Sequence, residues 1–289
     1  VSQFNQKLFR KGLARKRKVP RAGSVGASLA AQREYFKDIK KVIVGLAEIY
    51  RTRLLQELPE LQTKVVEDLP LVRTDAAHDD TFKILDGIRI TLSQRYSKEE
   101  LRKIIERNGR SAANFNRKAT EKQFERVAGV DLFLGNQELG ATMSLFTENN
   151  VALIKSLVDD SVKKVEDVVF NSFRTGRRWE ETVKEIEDYI NPERGTVLSR
   201  AKFIARDQMA KLNGQLTEAR QRSLGIKGYI WRGTLDGRER DSHREKEGNY
   251  YAWNDPPADT GHPGEDYQCR CTAEPYLGDI LPGIQDQEE

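Results

Sequence analysis

Cysteine, histidine and methionine are nearly missing from this chain, which has 2 Cys, 3 His and 2 Met among 289 residues. The cysteines, Cys269 and Cys271, are separated by one residue, so no disulfide framework can be built from them. A bridge across one residue is strained at best, and the pair fits a reducing compartment or a metal site. Apolar residues are scarce too, at 37%, and none of them form the run of 18 that a bilayer-spanning helix requires. The N-terminus is basic and has no apolar core of the kind a secretory signal carries. No Gly-rich phosphate loop, His-Glu-x-x-His or Gly-x-Ser-x-Gly pattern occurs, which removes the commonest local signatures of enzymatic sites. No period of 20–50 residues repeats, so the chain is not a solenoid.

What the sequence does have is charge. Charged residues make up 33%, a balance that suits long, partly exposed amphipathic helices better than one large core. The net charge of +4 conceals an asymmetry. Residues 1–33 hold nine Lys or Arg and no acid, leaving 40 basic against 45 acidic residues elsewhere. The basic residues Lys7, Arg10, Lys11, Arg15, Lys16, Arg17, Lys18 and Arg21 are the densest set. Residues 1–28 therefore read as a basic, flexible arm. Such an arm either keeps the chain soluble or lies on phosphates or an acidic surface, where each neutralised phosphate releases counterions. No aromatic residue is interleaved between Arg10 and Arg21, so a DNA contact made here would be non-specific.

Helical periodicity then dominates residues 29–225. It predicts helices over about 29–58, 80–94, 97–108, 111–128, 148–173, 179–190 and 198–223. Ser97 with Glu100 forms a capping box, and Leu224-Gly225 supplies a stop. Residues 69–80 read as a connection. At Gly225 the character changes, and residues 226–278 read as a small α+β module. Strands are expected over 227–233, 249–253 and 267–277, with a tight turn at Leu235-Asp236-Gly237-Arg238 and a helical turn at 240–246. Residues 279–289 form an acidic tail. The fold class is thus mainly α, an elongated multi-helix body followed by a small α+β module with a short antiparallel sheet.

The chemistry is concentrated in residues 231–271. This stretch holds both cysteines, His243 and His262, and Trp231 and Trp253. A module of roughly 50 residues buries little surface, and a metal often compensates. His243, His262, Cys269 and Cys271 are four ligands of the kinds zinc prefers, so zinc is the cofactor this set would take. The plainer reading is two half-buried thiols, with His243 hydrogen-bonded to Asp236 or Asp241. A catalytic reading would use Asp236, Arg238, Asp241 and His243 as general base and phosphate clamp of a nuclease. Trp231, Tyr250, Tyr251 and Trp253 are either docking anchors or the module's own core.

The order of several short pieces resembles the C-terminal domain of the phage Mu F-like minor head proteins, the phage head-morphogenesis family. The pieces are Ile204-Ala205-Arg206-Asp207-Gln208, Tyr229-Ile230-Trp231, Asp236-Gly237-Arg238, His243, Gly248, Pro256-Pro257, Gly261-His262-Pro263-Gly264 and Cys269-Arg270-Cys271. Arg206, Trp231, Asp236, Arg238, His243, Cys269 and Cys271 are the motif residues of the module on this reading. The resemblance implies a non-enzymatic virion component, in the capsid interior or at the portal vertex, and in the host cytoplasm during assembly. It implies portal protein as partner, with major capsid or scaffolding protein and phage DNA as further partners, and no membrane. Head assembly and DNA delivery are the roles it implies. A metal-dependent nuclease and a non-specific DNA-binding protein are the alternatives.

Overall fold

The computed structural model describes residues 2–16, 19–67, 74–132, 134, 139–278 and 280. Arg17, Lys18, residues 69–73 and nearly all of the acidic tail lie outside the described residues, and residues 74–80, expected as part of a connection, are instead helical. The helices are α1 (Ser2–Ala14), α2 (Leu29–Tyr50), α3 (Leu58–Glu67), α4 (Thr74–Arg95), α5 (Lys98–Ala128), α6 (Gly140–Thr175), α7 (Trp179–Ile190), α8 (Thr196–Ser223) and the short α9 (Asp241–Arg244). A π-helical turn, Arg51–Leu55, continues α2. The strands are β1 (Gly228–Arg232), β2 (Tyr250–Ala252) and β3 (Thr272–Pro275). The mainly helical fold with a small antiparallel sheet is as expected.

Local chemistry explains most of these boundaries. Ser28 caps α2 through its hydroxyl, which accepts the Ala31 N–H at 3.1 Å. At α5 the Ser97 hydroxyl accepts the Glu100 N–H at 3.4 Å. Helix α8 ends at Gly225, whose φ of +83° suits glycine. One expected break is missing: 97–108 and 111–128 are a single helix. The Asn108-Gly109 pair does not interrupt it because Gly109 packs against α6, where a Cβ would meet Met143 at 2.9 Å and Phe146 at 3.0 Å. Packing overrides the low helix propensity of glycine there.

The described residues fall into two compact units, and the division differs from the expected body and module. One unit comprises residues 34–105 and 148–205 and is entirely helical. Its α2 buries Tyr35, Ile39, Val42, Ile43, Leu46 and Tyr50, a stripe with the three-and-four spacing read from the sequence. The Tyr35 hydroxyl donates to Asn150 Oδ1 at 2.6 Å, and Arg51 makes a two-pronged pair with Glu187 at 2.7 and 2.6 Å. Helix α3 packs on α4 and α7.

The other unit comprises residues 1–33, 106–147 and 206–289. It holds the sheet, with strand order β2-β1-β3 and both pairings antiparallel. Helix α8 joins the sheet where Gln221 Nε2 donates to the Ala273 carbonyl at 3.1 Å. It joins α5 through buried Arg220, which donates to Asn116 Oδ1 at 2.6 Å and to the Ala113 carbonyl at 3.2 Å. Burial pulls that guanidinium down to about 10.

The N-terminal segment corrects the expectation of a flexible arm. Residues 2–14 are helical, and Phe9 and Leu13 are fully buried in a cluster with Phe124, Val127, Leu132, Leu224, Ile226 and Leu277. The Phe9 and Phe124 rings meet edge to face at 5.0 Å. The abundant charge lies on the opposite face, so α1 is amphipathic and belongs to the core of this unit.

Candidate functional site

The site lies between α9 and the loop leading into β3. Strand β1 places Tyr229 and Trp231 on the buried face of the sheet, where they pack with Trp253, Cys269, Cys271 and Ala273. Trp231 and Trp253 are therefore core residues. Tyr251 is half-buried, and Tyr250 is exposed against Tyr276, their rings 4.9 Å apart.

His243, Cys269 and Cys271 are all buried, and their ligand atoms lie within 4.8 Å of one another. His243 Nδ1 is 3.3 Å from Cys271 Sγ and 3.6 Å from Cys269 Sγ. The other ring nitrogen, Nε2, is 2.9 Å from Asp266 Oδ2. A carboxylate there accepts the Nε2 proton in a hydrogen bond and favours the tautomer that turns the Nδ1 lone pair toward the sulfurs. The partner of His243 is thus Asp266, and neither Asp236 nor Asp241 holds that place. The Gly264 N–H donates to Cys269 Sγ at 3.3 Å, and Cys271 Sγ is 3.3 Å from Glu239 Oε1. Hydrogen bonding from Cys271 pulls the Cys269 thiol below its ordinary range against the opposing effect of burial. The same hydrogen bond and burial push Cys271 up.

Two residues with left-handed backbone hold this geometry. Leu235 has φ +52° and Gln268 φ +55°, a conformation uncommon for residues with a Cβ. Each has its N–H fixed by a carboxylate: Leu235 by Glu239 Oε2 at 2.7 Å and Gln268 by Asp207 Oδ1 at 2.8 Å. The turn expected to use Gly237 instead places the positive φ at Leu235. Gln268 directly precedes Cys269, so Asp207 on α8 sets the angle at which the cysteine loop leaves. Gly214 adds to this: a Cβ there would meet the Pro263 carbonyl at 2.5 Å, and the α8 backbone can approach the 263–264 loop only without one.

The remaining expected site residues fall into place as follows. His262 is buried, but its Nδ1 is paired with the Tyr229 hydroxyl at 2.9 Å and its ring packs on Trp253. It is not a member of the His243 cluster, since β1 and the 261–264 turn take it for the sheet core. Asp236 makes a two-pronged pair with Arg270 and also accepts the Arg238 N–H at 3.0 Å, leaving the Arg238 side chain exposed. Asp241 is exposed, so Asp236, Arg238, Asp241 and His243 do not converge on a common point as a nuclease site would require. Arg206 is half-buried; the adjacent Asp207 is what touches the cysteine loop.

Among the cations of the N-terminal segment, Lys7, Arg10, Lys11, Arg15 and Lys16 are exposed. Arg21 instead pairs with Glu274, its Nε 3.0 Å from each carboxylate oxygen. Glu274 is buried on β3 and also accepts the Gly23 N–H at 2.8 Å and a hydrogen bond from Arg232. Burial would raise this carboxyl, but the bonds from Arg21 and Arg232 outweigh it and hold Glu274 below the usual carboxylate range. Asp207, Glu239, Asp266 and Glu274 were not singled out from the sequence. Their only signal was proximity to the motif pieces, since Asp207 lies inside Ile204-Ala205-Arg206-Asp207-Gln208.

Comparison with known proteins agrees with this picture. The family model described as phage Mu protein F like protein matches residues 163–274. An uncharacterized protein of Haemophilus influenzae is 38% identical over 165 residues, which is 56% of this chain and 36% of that protein. The chain thus spans about a third of the length of this relative. No solved structure matches. From within α6 to β3, residues 163–274, the chain is similar to the phage Mu protein F-like family.

Proposed function

We propose that this chain is a minor head protein of a tailed phage, acting in head assembly at the portal vertex and in DNA delivery. The observation that carries the reading is the family match over 163–274, which takes in α7, α8, the sheet and the His243–Cys271 cluster. The structure of the site supports a structural role. Asp236, Asp241 and His243, the acid-base residues a nuclease would use, face different partners. The aromatic side chains of the module largely build its own core. No helix among the described residues is long and apolar enough to cross a membrane.

The exposed cations of α1 favour a contact with an acidic surface, and they support DNA or an acidic portal face as a partner. This contact would be salt-dependent and secondary to docking through the rest of the chain. The test is co-expression with the portal protein of the phage concerned, followed by affinity capture and size exclusion. A stable complex that survives Lys7→Glu, Arg10→Glu and Lys11→Glu together is the expected result. Charge reversal is used because deletion would also remove Phe9 and Leu13 from the core. Portal protein that elutes alone would overturn the portal assignment.

A further inference from the structure

We infer that His243 Nδ1, Cys269 Sγ, Cys271 Sγ and the Glu239 carboxylate form a tetrahedral zinc site that locks the module together. This inference is independent of the head-protein reading. It also replaces His262 in the set suggested by composition with a carboxylate from the Asp236–Glu239 turn.

The spacing carries the argument. With Zn–S of about 2.3 Å and Zn–N or Zn–O of about 2.0–2.1 Å, the edges of a tetrahedron are about 3.3–3.8 Å. The contacts here are 3.3 Å for Nδ1 to Cys271 Sγ, 3.6 Å for Nδ1 to Cys269 Sγ and 3.3 Å for Cys271 Sγ to Glu239 Oε1. Three of these donors, His243 Nδ1 and the two sulfurs, face one another in a buried pocket, and Glu239 Oε1 stands beside Cys271 Sγ at its half-buried edge. A divalent cation held by these three draws Glu239 in from beside Cys271 as the fourth ligand, and two thiolates beside an imidazole select zinc over magnesium or calcium.

The surroundings are those of a built site. Asp266 on His243 Nε2 forms the carboxylate–histidine arrangement that orients a metal-binding imidazole. Gly264 donates its N–H to Cys269 Sγ. Glu239 is oriented by the N–H groups of Thr234 and Leu235, at 3.1 and 2.7 Å. The four ligands come from three short pieces: the turn after β1, α9 and Cys269-Arg270-Cys271. A sheet of three short strands gives these pieces little support, and one ion would fix them to each other.

The test uses the full-length chain, reduced and stripped with a chelator, titrated with Co2+ and followed by absorption spectroscopy. One equivalent of Co2+ should bind with thiolate-to-cobalt charge-transfer and intense tetrahedral ligand-field bands, and Zn2+ should displace it. Glu239→Gln should weaken binding on the order of 10- to 100-fold, while His262→Ala should leave the bands unchanged. The wild-type titration does not depend on any variant folding. Absence of charge-transfer bands in the folded, reduced chain would overturn the site. Loss of the bands in folded His262→Ala, with no effect of Glu239→Gln, would overturn the ligand assignment.

Discussion

Replacing Glu274 should separate the two sides of one ion pair. Its carboxylate is buried on β3, whereas the partner Arg21 side chain is 63% exposed. In Glu274→Gln the Gly23 N–H loses a charged acceptor, a loss of about 1.5–3 kcal/mol. The Arg21 contact, screened by solvent, adds about 1 kcal/mol or less. Arg232 retains Glu247 at 3.2 Å, so it is not left as a bare buried charge. The sum is about 3 kcal/mol for Glu274→Gln, against about 1 kcal/mol or less for Arg21→Ala. For a unit of this size, 3 kcal/mol lowers Tm by about 6–12 °C, which scanning calorimetry resolves. The pH dependence follows from the lowered carboxyl. Glu274 contributes stability that is fully present above its unfolded pKa and is lost as pH falls through the lower folded value. The stability gap between wild type and Glu274→Gln should therefore narrow on acidification below the ordinary carboxylate range. Arg21→Ala proving as damaging as Glu274→Gln, or a gap that is flat with pH, would refute this account of the clamp.

The amphipathic α1 makes a matched pair of predictions. Phe9→Ala should cost about 3–5 kcal/mol, measured by urea denaturation, because the side chain is fully buried against Phe124. Phe4→Ala, at a position 68% exposed on the same helix, should change stability by about 0.5 kcal/mol or less. A flexible arm would leave both variants indistinguishable from wild type.

Much of the helical architecture is legible in the sequence because periodicity reports burial directly. The α2 stripe from Tyr35 to Tyr50, the Ser97 cap and the Gly225 stop are each readable from side-chain type and spacing. Helix α1 is not, because its basic residues dominate the composition. The Phe9 and Leu13 pair that anchors it is only two residues long, too short a pattern to outweigh them. The continuity of α5 was also hidden, since Gly109 is tolerated only because Met143 and Phe146 occupy the space beside it.

The site shows the same division. Rare residues are informative, and the clustering of Cys269, Cys271 and His243 follows from their being almost the only soft ligands present. Glu239, Asp266 and Asp207 are three of 45 acidic residues, and only the fold distinguishes them from the solvated majority. His262 has the right chemistry but the wrong place, because the 261–264 turn delivers it to Tyr229. Which of two nearby histidines joins a cluster is decided by backbone geometry at Gly261 and Gln268, and ligand spacing alone does not encode it.

The head-protein assignment is tested most directly by quantitative mass spectrometry of purified particles of the encoding phage, before and after DNA release. The account predicts this chain in every preparation of filled particles, at a copy number far below that of the major capsid protein. A lower ratio after release would add delivery with the genome to the assembly role. Absence of the chain from both filled particles and assembly intermediates would contradict the assignment.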